Sequence, residues 1–434
     1  MKILTWQNLS PSEQKQSLRR PAQSQSEDLR KAVQDILTRV RAEGDQALLS
    51  YTESFDKIRL ASMSVSAAER AEALAQLSPR TWDALRIARD NIERFHRQQT
   101  PKRIELPVLP GIRCFREPRA LERVGFYIPG GSAPLPSTVL MLGIPSLIAG
   151  NPIRVLCTPP QKDGKVNPIV LAAAELCGIE TIYKVGGAQA IAAMAYGTDT
   201  IPKVDKIFGP GNAWVTEAKM QVMADPEGAA IDMPAGPSEV LVIADESASA
   251  AFVAADLLSQ AEHGPDSQVI LISTSETKAR EVLAALDRQI MSLPRREIAI
   301  AALNNSRCIL ADDLATALKI SDAYAPEHLI LQVQDPERWA REVQHAGSVF
   351  LGPWSPESAG DYASGTNHVL PTYGYARSYS GLTVESFMKF ISFQHLSREG
   401  LEAIGPAIEE LADLEGLEAH RRAVSLRLRP EEQL

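Results

Sequence analysis

The chain has 434 residues, 44% of them hydrophobic, which is enough to bury a large core spread over two or more domains. The formal net charge is -9 and no dense run of Lys and Arg occurs, so the expected partner is a small molecule rather than a nucleic acid or a membrane. The four cysteines are scattered without a CxxC pair, so neither a disulfide framework nor a thiolate zinc site is expected, and a reducing cytoplasm is the expected location.

The first part of the chain is predicted to be helical. Its apolar residues at helical spacing are Val33, Ile36, Leu37 and Val40. Ser26 is a candidate cap for that helix, and Ser78 followed by Pro79 is typical of another helix start. We therefore expect residues 1–122 to form a helical N-terminal arm, and its polar opening is unlike a signal peptide.

No charged residue occurs between Val124 and Ile153, a pattern that a hydropathy scan could take for a membrane span. Proline and glycine interrupt this stretch repeatedly. It is therefore predicted to be a buried strand, a loop and a helix.

From about Arg123, short apolar runs that end in Gly or Pro loops alternate with helical stretches, as in a parallel sheet crossed by helices. The first series of runs is VGFYIPGG, IRVLCTPP, IETIYKVGG and KVDKIFGPGN, and the second is SEVLVIADE, SQVILIST, RCILAD, HLILQV and SVFLGP. The sequence predicts an α/β fold with two similar units, residues 123–237 and 238–378, which suggest a duplication. A helical tail is expected over residues 379–434.

Three glycine loops of the first unit are candidates for ligand contact, because ligands of parallel sheets lie beyond the carboxyl ends of the strands. They are Gly130-Gly131, Gly186-Gly187 and Gly209-Pro210-Gly211. None is part of a GxGxxG motif, so an ordinary turn is the better explanation of each loop taken alone.

Gln260 and His263 lie three residues apart near the end of a helix that Gly264-Pro265 terminates, so their side chains share a face. This spacing suits two ligands of one metal. For the pair alone, a capping histidine beside a solvent-facing glutamine is the favoured alternative.

Glu327 and His328, in YAPEHL, stand directly before an apolar run. Adjacent residues of extended chain point to opposite faces, so only an irregular loop, which Pro326 supports, could aim both into one pocket. Surface charge is an equal alternative. The loop after Gly352 carries Asp361, Asn367 and His368 and is a further candidate.

Glu415 and His420 are five residues apart and cannot share one face of a regular helix. Both could serve a site only if Gly416 breaks the helix between them. A solvent-exposed histidine is the more common alternative.

Read together, seven motifs resemble the histidinol dehydrogenases in order and spacing along nearly the whole chain. They are RVGFYIPGGSAPLPSTVLML, KVGGAQAIAAMAYGT, IFGPGNAWVTEAK, DMPAGPSEVLV, LLSQAEHGPDSQ, YAPEHL and GDYASGTNHVLPTYG. The resemblance implies two Rossmann-like parallel-sheet domains that lack the usual glycine fingerprint. It also implies one zinc ion per subunit, NAD as the oxidant, and a homodimer whose tails complete the partner's site.

The resemblance assigns roles residue by residue. The implied zinc ligands are Gln260, His263, Asp361 and His420. The implied catalytic acid and base are Glu327 and His328. The implied NAD contacts are Tyr127, Gln189 and Asn212. The implied substrate contacts are Ser238, Gln260, His263, His328, Asp361, Glu415 and His420.

The implied reaction oxidises L-histidinol to L-histidine with two NAD molecules used in turn, through a bound aldehyde. Several bacterial relatives carry cysteine where this chain has Asn151, so a thiohemiacetal at that position is excluded. A zinc-dependent hydrolase or aldolase that uses Glu327 and His328 is the alternative, but it leaves the NAD contacts without a use. A non-enzymatic role would require the loss of a matched position, and all are present.

Overall fold

The computed structural model describes residues 1–21, 27–130, 134–233 and 236–430, and Ser26 and Gly131 lie outside these ranges. The described residues form fourteen β-strands and seventeen α-helices. The strands are β1 Lys2–Thr5, β2 Ile104–Leu109, β3 Ile112–Ala120, β4 Arg123–Tyr127, β5 Ile153–Thr158, β6 Thr181–Lys184, β7 Lys206–Phe208, β8 Ala230–Ile231, β9 Glu239–Ala244, β10 Gln268–Ser273, β11 Arg307–Leu310, β12 His328–Gln332, β13 Ser348–Leu351 and β14 Met388–Leu396. The helices are α1 Pro11–Ser17, α2 Glu27–Glu43, α3 Asp45–Tyr51, α4 Ala67–Ala75, α5 Pro79–Arg97, α6 Pro136–Ala149, α7 Pro168–Leu176, α8 Gly187–Tyr196, α9 Ala213–Ala224, α10 Ala250–Ala261, α11 Glu276–Gln289, α12 Arg296–Asn304, α13 Leu314–Tyr324, α14 Pro336–Ala340, α15 Glu357–Tyr362, α16 Arg398–Leu414 and α17 Glu418–Leu428.

The chain divides into two compact units. The first contains residues 1–99 and 122–387, and the second contains residues 100–121 and 388–434. The finer domain boundaries expected from the sequence, at residues 122, 237 and 378, stay a prediction.

Two parallel sheets form the first unit. One has the order β6-β5-β4-β7-β8 and the other β1-β11-β10-β9-β12-β13. Numbered along the chain, β4 to β8 have the order 3-2-1-4-5 in the first sheet, and β9 to β13 have the same order in the second, where β1 is added at the edge. This is the order of the first five strands of dinucleotide-binding sheets. All nine strands expected from the two series are confirmed, and the shared order supports a duplication.

The N-terminal helices contribute to the core of the first sheet. The apolar face predicted for α2 is buried and packs in one cluster with residues of α8 and α9. The predicted start of α5 is confirmed, because the Ser78 side chain accepts a hydrogen bond from the Thr81 backbone N–H at 3.1 Å. β1 is a difference from the expected helical arm, since it pairs with β11 at the edge of the second sheet.

The uncharged stretch that begins at Val124 forms β4 and α6, whose residues are largely buried. The predicted strand and helix are confirmed, whereas residues 131–133 of the predicted loop lie outside the described residues. Among the described residues, no helix is both long enough and apolar enough to span a membrane.

The second unit corrects two helical predictions. Residues 1–122 and 379–434 were expected to be helical, but β2, β3 and β14 form an antiparallel sheet with the order β14-β3-β2. β3 and β14 are far apart in sequence, so their pairing, with Phe115 and Phe393 stacked at 4.7 Å, leaves no local periodic signal. Only the end of the tail is helical, beginning with the capped helix α16.

Candidate active site

Glu327 and His328 are brought together by an irregular loop, as predicted. Helix α13 ends at Tyr324. The next residue, Ala325, has left-handed backbone angles (φ 55°, ψ 70°), and Pro326 follows. His328 then begins β12, with its Nδ1 3.6 Å from Glu327 Oε2. Both residues are buried, since His328 is 3% exposed and Glu327 is 5% exposed, so the surface-charge alternative is wrong.

The hydrogen bonds of His328 define its tautomer. Nδ1 lies 3.0 Å from the backbone carbonyl oxygen of Glu239, which can only accept, so Nδ1 carries the proton. Nε2 therefore has a lone pair, and it is buried without a hydrogen-bond partner among the described residues. Burial lowers the pKa of His328, which keeps the imidazole neutral and able to take a proton near neutral pH.

The backbone of Glu239, which binds His328, also binds the Glu327 carboxylate. Its Oε2 accepts a hydrogen bond of 2.9 Å from the backbone N–H of Glu239. Burial raises the pKa of Glu327 well above its usual range, although that N–H opposes the shift, and the charges of Glu239 and Asp361 add to it. Glu327 is therefore a stronger base than an exposed carboxylate.

Asp361 and Glu357 lie on one face of α15, four residues apart, beside His328. Asp361 Oδ1 is 3.8 Å from His328 Nε2, and Glu357 Oε1 is 3.5 Å from His328 Nδ1. One ligand atom from each of the three residues lies within 4.8 Å of the others. The sequence analysis missed Glu357, although its spacing from Asp361 on a helix could have indicated it.

Gln260 and His263 lie at the carboxyl end of α10. Gln260 is fully buried, so the predicted alternative of a solvent-facing glutamine is wrong. Its Nε2 lies 3.1 Å from His263 Nδ1, while its Oε1 is buried without a hydrogen-bond partner in the described chain.

The group formed by His328, Glu357 and Asp361 fits a divalent cation. The buried polar atoms without a hydrogen-bond partner among the described residues include Gln260 Oε1, His328 Nε2 and Glu357 Oε1. Burial raises the pKa of Glu357 well above its usual range, and the nearby charges of Asp361, Glu327 and Asp256 raise it further. Nitrogen and oxygen donors suit Zn²⁺. A ligand set with a single carboxylate leaves the ion a positive charge, whereas two thiolates would neutralise it.

His368 and Asn367 connect this site to α6. His368 Nδ1 donates to the backbone oxygen of Asp361 at 2.8 Å, and its Nε2 lies 3.2 Å from Thr138 Oγ1. Asn367 Nδ2 donates to the Met141 backbone oxygen at 2.8 Å. The candidate loop of the sequence analysis thus has one side chain at the site and two that support it.

The remaining predicted substrate contacts are separated along the fold. Ser238 is half-buried and immediately precedes β9. Glu415 and His420 belong to the second unit, and both are exposed. Gly416, with φ 70°, separates α16 from α17, so the predicted helix break between them is confirmed.

The three expected NAD contacts lie at the carboxyl edge of the first sheet. Tyr127 ends β4, Gln189 is in the first turn of α8 after β6, and Asn212 precedes α9 after β7. Burial raises the pKa of Tyr127 to about 12, and its hydroxyl accepts from the Gly187 N–H at 3.1 Å. Asn212 caps α9 through Oδ1, which leaves Nδ2 without a partner among the described residues.

The glycines of the candidate loops contact protein. A Cβ on Gly130 or Gly186 would lie 2.3 Å or 2.6 Å from the Pro159 ring, and one on Gly209 would lie 2.1 Å from the Tyr127 backbone oxygen. Close packing of strand-to-helix turns therefore explains these described glycines, in agreement with the alternative favoured for each loop alone.

Thiol chemistry has no place at this site. All four cysteines are free, and burial raises the pKa of Cys157, Cys177 and Cys308. Asn151 is buried and structural, because it accepts from Ser146 Oγ at 2.8 Å and donates to the Phe387 backbone oxygen at 2.9 Å.

Comparison with known proteins gives one consistent result. Residues 18–428 match the family model described as histidinol dehydrogenase. The chain is 53% identical to histidinol dehydrogenase of Vibrio vulnificus over 428 residues, which cover 99% of this chain and 98% of the relative. It is 53% identical to that of Escherichia coli K12 over 426 residues, 98% of this chain and 97% of the relative. The crystal structure of histidinol dehydrogenase from Elizabethkingia anophelis superposes with a TM-score of 0.96 at 50% identity, covering 100% of this chain and 99% of that chain.

Proposed function

Because the chain belongs to the histidinol dehydrogenase family, we propose that it catalyses the four-electron, NAD-dependent oxidation of L-histidinol to L-histidine through bound L-histidinal. The reaction completes histidine biosynthesis. The observation that carries the proposal is a buried, neutral imidazole whose unpartnered Nε2 lies 3.8 Å from a carboxylate oxygen of Asp361.

The proposed zinc ligands are Gln260, His263, Asp361 and His420, with one ion per subunit. The unpartnered Oε1 of Gln260 and the position of Asp361 support this set. Tyr127, Gln189 and Asn212 are the proposed NAD contacts, which their common sheet edge supports. When bound, zinc would supply a Lewis acid that orients the amine and imidazole of the substrate, and NAD would accept the hydrides.

His328 is the proposed base of the first oxidation. Its Nε2 takes the proton of the alcohol as the carbon that bears the oxygen loses a hydride. Nδ1 remains hydrogen-bonded to the Glu239 carbonyl, so the ring keeps its orientation and the resulting imidazolium is stabilised. The product is the aldehyde L-histidinal.

Glu327 is the proposed base that prepares the second oxidation. It removes a proton from water, and the water oxygen attacks the aldehyde carbon. The aldehyde oxygen takes the proton that His328 gained in the first oxidation, which gives the hydrate and leaves the imidazole neutral again. His328 then takes a hydroxyl proton as the second hydride leaves, which yields the carboxylic acid. Ser238 and Glu415 are the remaining proposed substrate contacts.

We also propose a homodimer in which the second unit of each chain completes the site of the other. Glu415 and His420 are exposed in the single chain, which leaves both side chains accessible to a second subunit. The second unit also exposes large apolar side chains, which is typical of a protein interface. They include Ile104, Leu106, Val108, Leu411 and Leu414. A cytoplasmic location is proposed as well, and the free cysteines agree with it.

The deciding experiment is a product assay. Zinc-loaded protein mixed with L-histidinol and NAD should form about two NADH per histidine, as four-electron oxidation requires. NADH is measured by absorbance and histidine by chromatography, with the His328→Ala variant as the inactive control. If histidinol is consumed without NADH, the activity is non-redox, as in the hydrolase or aldolase alternative.

A further inference from the structure

A buried ion pair lies directly behind the two catalytic candidates. Arg20 Nε and Nη2 donate to the two carboxylate oxygens of Glu239 at 2.5 Å and 2.7 Å. The side chains are 13% and 2% exposed. Arg20 comes from the N-terminal segment after α1, whereas Glu239 is the first residue of β9.

The main chain of Glu239 holds both members of the acid–base pair. Its N–H donates to Glu327 Oε2 at 2.9 Å, and its carbonyl oxygen accepts from His328 Nδ1 at 3.0 Å. One residue therefore orients the carboxylate and also sets the tautomer of the imidazole. A displacement of its backbone would move both groups away from their reactive positions.

The same ion pair contacts two residues with left-handed backbones. Arg20 Nη2 donates to the carbonyl oxygens of Tyr324 and Ala325 at 2.9 Å and 3.2 Å, and Ala325 has φ 55°. Tyr373, with φ 59°, donates its backbone N–H to Glu239 Oε1 at 2.6 Å. Non-glycine residues adopt this conformation only when their surroundings impose it. The contacts of the ion pair supply that restraint next to Glu327.

We propose that Arg20 and Glu239 are positioning residues of the dehydrogenase, which hold Glu327 and His328 in their reactive geometry. The proposal rests on the acid–base roles proposed above. Neither Arg20 nor the Glu239 side chain has a contact with the proposed zinc ligands or NAD contacts among the described residues. Burying two charges is costly and a well-packed apolar pair is often as stable, so geometry is the better reason for this pair than stability.

The test separates positioning from binding in the zinc-loaded full-length enzyme. Arg20→Ala is expected to lower kcat for histidinol and for histidinal by about 100-fold each, the effect of a small misplacement of reacting groups. KM for histidinol, KM for NAD and the zinc content are expected to stay at wild-type values. Arg20→Lys should recover only part of kcat. Lysine keeps the positive charge, but its ammonium cannot bind both carboxylate oxygens in the fork geometry of arginine.

Arg154→Lys is the matched control. Arg154 donates to the backbone oxygens of Cys177 and Gly178 at 2.7 Å each, away from the catalytic residues, so this variant should keep wild-type kcat. If Arg20→Ala does not fold, Arg20→Lys, assayed well below its thermal midpoint, decides the question. Wild-type kcat in the Arg20 variants, or a loss confined to KM or zinc, overturns the inference, provided that Glu327→Gln has lost the oxidation of histidinal and His328→Ala has lost both oxidations. If those two variants are also active, the proposed function itself fails.

Discussion

Burial determines the chemistry of the residues at the site. An exposed glutamate or histidine would titrate near its usual pKa, but burial raises the pKa of Glu327 and lowers that of His328. The two shifts have opposite effects on basicity: the Glu327 carboxylate becomes a stronger base, whereas the His328 imidazole becomes a weaker base that stays in its neutral, proton-accepting form. Two bases of different kinds thus lie 3.6 Å apart.

His328 lies where it could serve either as a metal ligand or as a base, and its substitution distinguishes the two roles. His328 lies with Glu357 and Asp361 in a group that could hold a cation, whereas the proposed set assigns Asp361 to zinc and His328 to proton transfer. The unpartnered Nε2 suits either role.

We predict that His328→Ala abolishes turnover but retains zinc, whereas Asp361→Ala weakens zinc binding by at least about 100-fold because a direct ligand is lost. Zinc per chain is measured by atomic absorption after dialysis against a weak chelator. His345→Ala is the histidine control and should retain both zinc and activity. Loss of zinc from His328→Ala equal to that from Asp361→Ala would make His328 a ligand instead of the base.

At the scale of single elements, the turn between β7 and α9 requires a glycine, because the backbone has a positive φ and there is no space for a Cβ. Gly209 has φ 123°, and a Cβ added to it would lie 2.1 Å from the Tyr127 carbonyl oxygen of the neighbouring strand β4. Its N–H donates to Asp232 at 2.8 Å, and its carbonyl accepts from Lys219 at 2.9 Å. The turn is therefore fixed on both sides, and Asn212 follows it directly.

We predict that Gly209→Ala lowers stability by about 3 kcal/mol or more, because it combines a strained backbone with a clash against main chain. Gly150→Ala is the matched control, since Gly150 also has a positive φ, 82°, but its Cβ would meet nothing within 4 Å. Its cost should be about 1 kcal/mol, the conformational strain alone. The shift of the thermal midpoint measures both, and equal shifts would show that the contact with Tyr127 has no energetic weight.

Across the whole molecule, the proposed site requires residues from both compact units. Gln260, His263 and Asp361 belong to the first unit, and Glu415 and His420 to the second. In an isologous dimer each subunit provides the same element to its partner. Mixing two variant chains can therefore test whether the tail of one chain serves the site of the other.

We predict that two inactive variants restore activity when mixed. If His328→Ala and His420→Ala chains are co-refolded at random, half the dimers are heterodimers, and one of the two sites in each joins an intact core to an intact tail. About a quarter of all sites should then be active. Native mass spectrometry verifies the heterodimers. Mixtures that contain them and stay inactive would show that His420 acts within its own chain.

The sequence by itself determined the local elements and the residue types of the site. Alternating apolar runs and Gly or Pro turns predicted nine strands, and the capping residue Ser78 predicted a helix start, because these signals depend on near neighbours. The motif resemblance assigned Glu327, His328 and Asp361. The structure places Glu327 and Asp361 on either side of the His328 imidazole, at 3.6 Å and 3.8 Å from its two ring nitrogens.

Only the tertiary structure decided which distant residues meet. The sheet formed by β2, β3 and β14, the Glu357 carboxylate beside His328, and the Arg20–Glu239 pair join segments far apart in sequence. The shifted pKa values of Glu327 and His328 also depend on burial, which the whole fold creates. Such contacts form when packing brings remote segments together, so no periodicity or spacing within one segment records them.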